Sequence, residues 1–272
     1  MFVPPERAGY DRTPVMYDPR GRILQILYAR RAVSQGTPSC GILFKDGALV
    51  AGKRKMTALL MPNRKVFQID EYIVATFAGY SSDGIFLVEL ARDQAATLRF
   101  VYGSEKPDVY LIARYVSSIM HQATLYAGLR PLGVSIIIAG SDLSGPKLYF
   151  NDPGGSTVAW RAGIIGRNAP AGEEFLMSIF KEKKQNSISF EDAIKYAIAA
   201  ISISSGSPPS PEEIEVGYVM VDKPAVITTA DASNIKTLYE EGINLFNEWK
   251  AKYKKHGESE EEEESEEEEE GE

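Results

Sequence analysis

One cysteine, Cys40, and two histidines, His121 and His256, stand in a chain of 272 residues. A single thiol forms no intrachain disulfide, which suits a reducing compartment, and it leaves no thiolate cluster to hold a metal. Two isolated imidazoles and one thiol do not make a zinc site, and no Ser-His-Asp spacing surrounds His121. No apolar run reaches the roughly 18 residues of a membrane span, and neither end carries a lipidation signal. No phosphate-cradling glycine loop is present. The expectation is a cytoplasmic protein with no cofactor, no metal, no membrane partner and no bound ATP. The early stretch "GYDRTPVMYDPRGR", Gly9 to Arg22, is no export signal, because it offers charges, two prolines and two tyrosines in place of an apolar core. Nor is it a linker: Gly and Ser are scarce, and Tyr10, Val15, Met16 and Tyr17 can anchor against a surface.

Basic residues are missing above all from residues 257–272, "GESEEEEESEEEEEGE", which hold 12 of the 38 acids. Without them 26 acids face 30 bases, so the formal charge of -8 belongs to the tail and the body is slightly basic. Such a block repels itself and has nothing apolar to dock, so a disordered, solubilising tail is expected. The body shows no basic cluster dense enough to suggest nucleic acid. With 44% hydrophobic residues, it is long enough for a substantial core.

Periodicity then orders the chain. Leu24, Leu27, Tyr28 and Ala32 fall at helical spacing before Gly36, predicting a short amphipathic helix. "SCGILFKDGALVAGKRK" and "VFQIDEYIVATFAG" each hold two apolar runs split by a turn, predicting four consecutive strands. Helices are expected over about Asp83–Val101 and Asp108–Thr124, the second stopping at Tyr126-Ala127-Gly128. Strands resume in "GVSIIIAGSD", "KLYFND" and "TVAWRAGII". Helices follow over roughly Ala171–Lys181 and from "SFED", where Ser189 and Asp192 resemble a capping box, to about Ser202. A strand in "EIEVGYVMVD" and a long helix in "SNIKTLYEEGINLFNEWKAKYKK" complete the order. Strands in blocks and helices in pairs predict an α/β (α+β) domain of two stacked antiparallel sheets flanked by helices. The divisions are an N-terminal segment 1–21, a helix 22–36, a core 37–256 and the tail 257–272.

Several stretches resemble one family in both order and spacing. They are "YDR" at Tyr10–Arg12, a Pro-x-Gly-Arg turn at Pro19–Arg22, "QILYARRAV" at Gln25–Val33, "KVFQID" at Lys65–Asp70, "GLRPLGVS" at Gly128–Ser135, and "DPGG" followed by "AWRAGIIG". Together they resemble an archaeal-like alpha-type subunit of the 20S proteasome core particle, from about Tyr10 to the final helix. The resemblance implies a four-layer α-β-β-α sandwich of the N-terminal-nucleophile hydrolase fold, non-catalytic and assembled in a seven-membered ring with other alpha subunits. It implies stacking on catalytic beta subunits, docking of an activating ATPase or other cap through its C-terminal residues, and passage of unfolded protein substrates through a gated pore.

Residue by residue, Tyr10, Asp11, Arg12, Pro19 and Tyr28 match the gate, with Tyr10 and Asp11 reaching a neighbouring subunit. Lys65 matches the lysine that receives an activator carboxylate, and backbone N–H groups near Gly36 would complete a nest. Tyr126, Ala127, Gly128 and Leu129 match the narrow ring around the pore. Departures stand at Leu27, where the family has glutamate, and at Arg20, where an acid commonly follows the proline. The rival reading is a self-processing beta-type threonine peptidase, because "QGTPSCG" places Gly36 before Thr37. The freed Thr37 hydroxyl would attack a peptide carbonyl, helped by its own amine, by Lys65 and by an acid. Against this, Lys53 falls where the acid belongs and Pro38 follows the nucleophile. A third possibility is a paralogue forming rings without a beta partner.

Overall fold

The computed structural model describes residues 9–60, 63–184 and 187–269, with side chains described as far as residue 252. Residues 1–8 of the expected gate segment lie outside the described residues, as does the expected disordered tail apart from the backbone of the last helix. The chain runs α1 (Leu24–Val33), β1 (Ser39–Phe44), β2 (Gly47–Lys53), β3 (Val66–Asp70), β4 (Ile73–Gly79), α2 (Ser81–Tyr102) and α3 (Val109–Leu125). It continues with β5 (Val134–Asp142), β6 (Gly145–Asn151), β7 (Thr157–Ala159), β8 (Ala162–Ile165), α4 (Ala169–Glu182) and α5 (Phe190–Ser205). After a 3-10 turn at Pro211–Glu213 come β9 (Ile214–Met220), β10 (Val226–Thr229) and α6 (Lys236–Glu269).

Among the described residues, ten strands form two five-stranded sheets, β10-β9-β2-β1-β8 and β3-β4-β5-β6-β7. Every neighbouring pair is antiparallel. β1 and β5 are buried along their whole length, which is why they read as continuous apolar runs instead of alternating ones: both faces of each sheet are covered. Between the sheets lie Val50, Val66, Val74, Ile137, Leu148 and Val219. Ile42, Leu49 and Val216 of the first sheet meet Phe175, Ile194, Ile198 and Phe246 from α4, α5 and α6. Phe77, Ile136 and Ile138 of the second meet Leu87, Ala91, Ile112 and Val116 from α2 and α3. Fully burying each such side chain contributes about 1.5–3 kcal/mol. This is the expected four-layer α-β-β-α sandwich.

The predicted elements differ from the observed ones in several places. The run "TVAWRAGII" splits into β7, at the edge of one sheet, and β8, at the edge of the other. β10 went unread because Val226–Thr229 is a four-residue edge strand after Pro224, too short for a clear alternation. The inward face of α1 is Leu24, Ala29 and Val33, whereas Tyr28 is 40% exposed and Leu27 and Ala32 are half-buried. α1 meets the sandwich along a narrow stripe ending at Val33 between the sheets, so the apolar face implied by spacing is rotated from the one used. Ser189 does cap α5, accepting from Asp192 N at 3.0 Å. The Asp192 carboxylate, though, pairs with Lys195 at 3.0 Å.

Candidate functional site

Three features expected to work together lie around α1 and the first turn of α2: the stretch before α1, a cleft at Lys65, and the turn after α3. The stretch Asp18–Arg22 is a tight reverse turn. Asp18 N donates to Arg22 O at 2.8 Å and Gly21 N to Asp18 O at 2.9 Å, with Gly21 at φ +71°. The Asp18 carboxylate is buried and accepts from Arg20 N (3.0 Å), Arg22 N (2.9 Å) and the Arg22 guanidinium (2.7 and 2.9 Å). Arg22, through its side-chain bonds first, holds the Asp18 carboxyl below the usual range. Pro19 presets the second position of this turn. Further back, Gln25 Nε2 donates to Asp11 O, and Tyr28 Oη donates to Asp11 Oδ2 at 3.4 Å. Asp11 and Tyr28 are thus brought together within one chain. Arg12 N reaches Gly9 O at 3.4 Å, and Tyr10 stays half-buried.

α1 is in turn clamped to the "DPGG" turn. Arg30 Nε and Nη2 donate to Asp152 Oδ2 at 3.0 and 2.6 Å, while Asp152 Oδ1 accepts from Gly154 N, Ser156 N and Ser156 Oγ. Burial pushes the Asp152 carboxyl up, but the Arg30 and Ser156 hydrogen bonds outweigh it and hold it below the ordinary range.

At the C-terminal end of α1 a cleft of about 630 Å³ opens, lined by Gly36, Thr37, Lys65, Phe67, Phe77 and Ile85, among others. Lys65 is only 8% exposed. Its Nζ donates to Phe77 O at 2.6 Å and Thr37 O at 3.1 Å and sits 5.7 Å from the centre of the Phe77 ring. Its backbone N and that of Val66 donate to Glu215 Oε2 at 2.6 and 2.8 Å. Burial of the ammonium lowers the Lys65 pKa to about 7. Gly36 lines the same cleft, but its N–H is already committed to Val33 O at 2.9 Å, as the Gln35 N–H is to Ala32 O at 3.1 Å. Those two amides close the end of α1, so the backbone nest expected near Gly36 is not available from them. Arg54, Lys55, Arg64 and Arg167 also line this cleft. Sequence reading missed that cluster because Arg167 lies more than a hundred residues from the others.

The turn Tyr126–Leu129 projects from α3. Tyr126 is 61% and Leu129 52% exposed, Leu129 N donates to Tyr126 O at 3.1 Å, and nothing crowds Gly128. The helix stops because Tyr126 turns extended, at φ -111°, ψ 125°. Gly128 is not among the glycines of positive φ, so the left-handed glycine stop expected at Ala127-Gly128 is not used. What anchors this turn was not legible in the sequence: Arg130 makes a bidentate pair with Asp83 in the first turn of α2, at 2.7 and 2.8 Å. Gly133 N also donates to Asp83, at 2.9 Å. Arg130, first through its side-chain bond, holds the Asp83 carboxyl low. Gly79 locks the junction with φ +125°, where any Cβ would lie 2.1 Å from Gly133 O.

The residues named in the rival peptidase reading lie close together. Lys65 Nζ donates to the Thr37 carbonyl and Lys53 N donates to Pro38 O at 2.9 Å. Among the described residues no carboxylate lies within 4.0 Å of Lys65 Nζ, and no group of acids, histidines and cysteines could hold a metal ion.

The family described as "Proteasome subunit" matches residues 33–219 of this chain. Relatives named proteasome subunit alpha include that of Thermococcus gammatolerans, 38% identical over 225 residues, covering 82% of this chain and 84% of the relative. That of Pyrococcus horikoshii is 37% identical over 223 residues, 81% and 83% respectively. The Archaeoglobus fulgidus protein is 39% identical over 219 residues, 79% and 87%. The two-sheet sandwich and these relatives agree: the chain belongs to the proteasome subunit family, and the relatives named above are alpha-type subunits.

Proposed function

We propose that this chain is a non-catalytic, ring-forming subunit of a proteasome core particle. In this reading it provides the gated pore and the surface on which activating caps dock during ATP-dependent protein degradation. The observation that carries it is the Asp18–Arg22 turn. A short, internally hydrogen-bonded unit sits directly ahead of α1, which is clamped to the body by Arg30 and Asp152. Such a unit moves as one piece, as a gate hinge requires. The Tyr126–Leu129 turn supplies an exposed apolar rim, anchored at its base by Asp83 and Arg130. The cationic cleft at the C-terminal end of α1 suits the carboxylate end of a cap.

The opposite end of the 22-residue α2 presents Phe100 (91% exposed), Val101 and Tyr102, roughly 33 Å from its start. Val101 and Tyr102 border a groove of about 440 Å³ with Leu111 and Tyr115. An apolar patch of this kind fits a face covered by catalytic subunits.

Intact mass spectrometry of the assembled particle tests the reading against the peptidase alternative. The gate role requires residues before Thr37 to remain; a mature chain beginning at Thr37 would establish self-processing and overturn it.

A further inference from the structure

The cleft raises a question of donors. A carboxylate offers two oxygens with about four acceptor positions, and each left unmatched in a partly apolar site is costly. Lys65 has three N–H donors, and its Nζ already serves Thr37 O and Phe77 O, so it offers one. The amides of Gln35 and Gly36 are committed to α1. Phe67, Phe77 and Ile85 supply apolar wall.

We propose that Arg167 is a second carboxylate-binding cation of this cleft, acting with Lys65 on one C-terminal carboxylate seated over the Gly36–Thr37 peptide; this rests on the docking role proposed above. Both residues hold that dipeptide: the Lys65 ammonium donates to Thr37 O at 3.1 Å, and the Arg167 backbone N donates to Gly36 O at 2.8 Å. The backbone at Gly166 is pressed against the same peptide at φ +102°, where a Cβ would lie 2.7 Å from Thr37 O and 3.1 Å from Gly36 O. The base of the Arg167 side chain is therefore fixed relative to Lys65.

Its guanidinium is exposed and makes one long hydrogen bond among the described residues, Nη2 to Gln35 O at 3.5 Å. The remaining donors form the planar fork that matches a carboxylate. Arg54 is less suited, since its Nε and Nη2 both donate to Glu212 O. Lys55 and Arg64 reach the cleft from the β2–β3 connection and contribute field without a comparable anchor. Among the described residues, no aspartate or glutamate lines the cleft.

The test uses assembled particles and a fluorescein-labelled hexapeptide with apolar residues ahead of a free C-terminal carboxylate, compared by anisotropy with its C-terminal amide. Arg167→Gln is expected to weaken carboxylate-peptide binding about tenfold and leave the amide peptide unchanged. Arg167→Lys should recover part of the loss, because it restores charge without the fork. Wild-type affinity in Arg167→Gln, or equal loss for both peptides, overturns the proposal. If Lys65→Gln alone abolishes binding, the docking role survives and only the two-cation arrangement falls. If neither variant changes binding, or the unaltered particle shows no carboxylate preference, both fall.

Discussion

The buried Lys65 ammonium donates to two carbonyls and faces an aromatic ring, while Glu215 accepts from the Lys65 backbone N and Arg54, Lys55, Arg64 and Arg167 line the same cleft. The Lys65 pKa is lowered from 10.5 to about 7 by burial. The folded chain therefore binds fewer protons than the unfolded chain between about pH 7 and 10.5, so this residue's contribution to stability rises with pH across that window. Below pH 7 both states are protonated and the full cost of burying charge remains. Lys65→Met should raise the thermal midpoint at pH 6, with the advantage shrinking towards pH 10; calorimetry at several pH values checks this, and an advantage independent of pH would contradict it. Docking runs the other way, because an incoming carboxylate favours the protonated ammonium. Carboxylate-peptide affinity should fall as pH rises from 6.5 to 8.5. Cys40 offers no comparable chemistry, since complete burial pushes its thiol up, out of the reactive range.

At the scale of elements, two carboxylates act as joints. Asp18 satisfies the turn before α1, and Asp83 ties the first turn of α2 to the segment leaving α3. Asp18→Ala should raise hydrogen exchange at the Arg22 amide about tenfold while leaving α1 intact. An unchanged rate would show that the turn holds without the carboxylate. Asp83→Ala removes two charge-assisted bonds and strands the buried Gly133 N–H, at a cost of about 2–3 kcal/mol in denaturant unfolding.

These joints differ in how readable they are. "DPRG" announces the Asp18 turn by local chemistry, because aspartate, proline and glycine each favour a turn position. Asp83 and Arg130 are 47 residues apart and carry no mutual signal. α2 and α3 were legible as helices because the residues Leu87 to Leu98 and Val109 to Met120 include a buried row that packs on one sheet. The face of α1 was not, because that helix meets the body along a narrow stripe.

For the whole molecule, the proposed gate and the proposed docking patch predict separate behaviours. Deleting residues 2–12 should raise basal hydrolysis of small peptides by reconstituted particles, with an unaltered rate counting against a gate. Phe100→Glu places a charge in the apolar patch at the end of α2 and should reduce co-purification with catalytic subunits while ring assembly persists. Recovery of intact particles in wild-type yield would remove that face from the interface. Charge is also a whole-molecule property: the acids of 257–272 mask a slightly basic body, and the bases that matter converge on the cleft only after folding.

The sequence by itself determined the layer count, nearly every element and the turn ahead of α1. Periodicity and turn chemistry act over a few residues, and covered sheets impose continuous apolar runs. Tertiary structure alone decided the rest. It spent the Gly36 amide on closing α1, turned Lys65 towards two carbonyls, and bonded the Arg167 backbone to Gly36 O. Such pairings depend on which strands and helices become neighbours, and a linear pattern of residue types does not encode the direction in which a side chain meets a partner a hundred residues away.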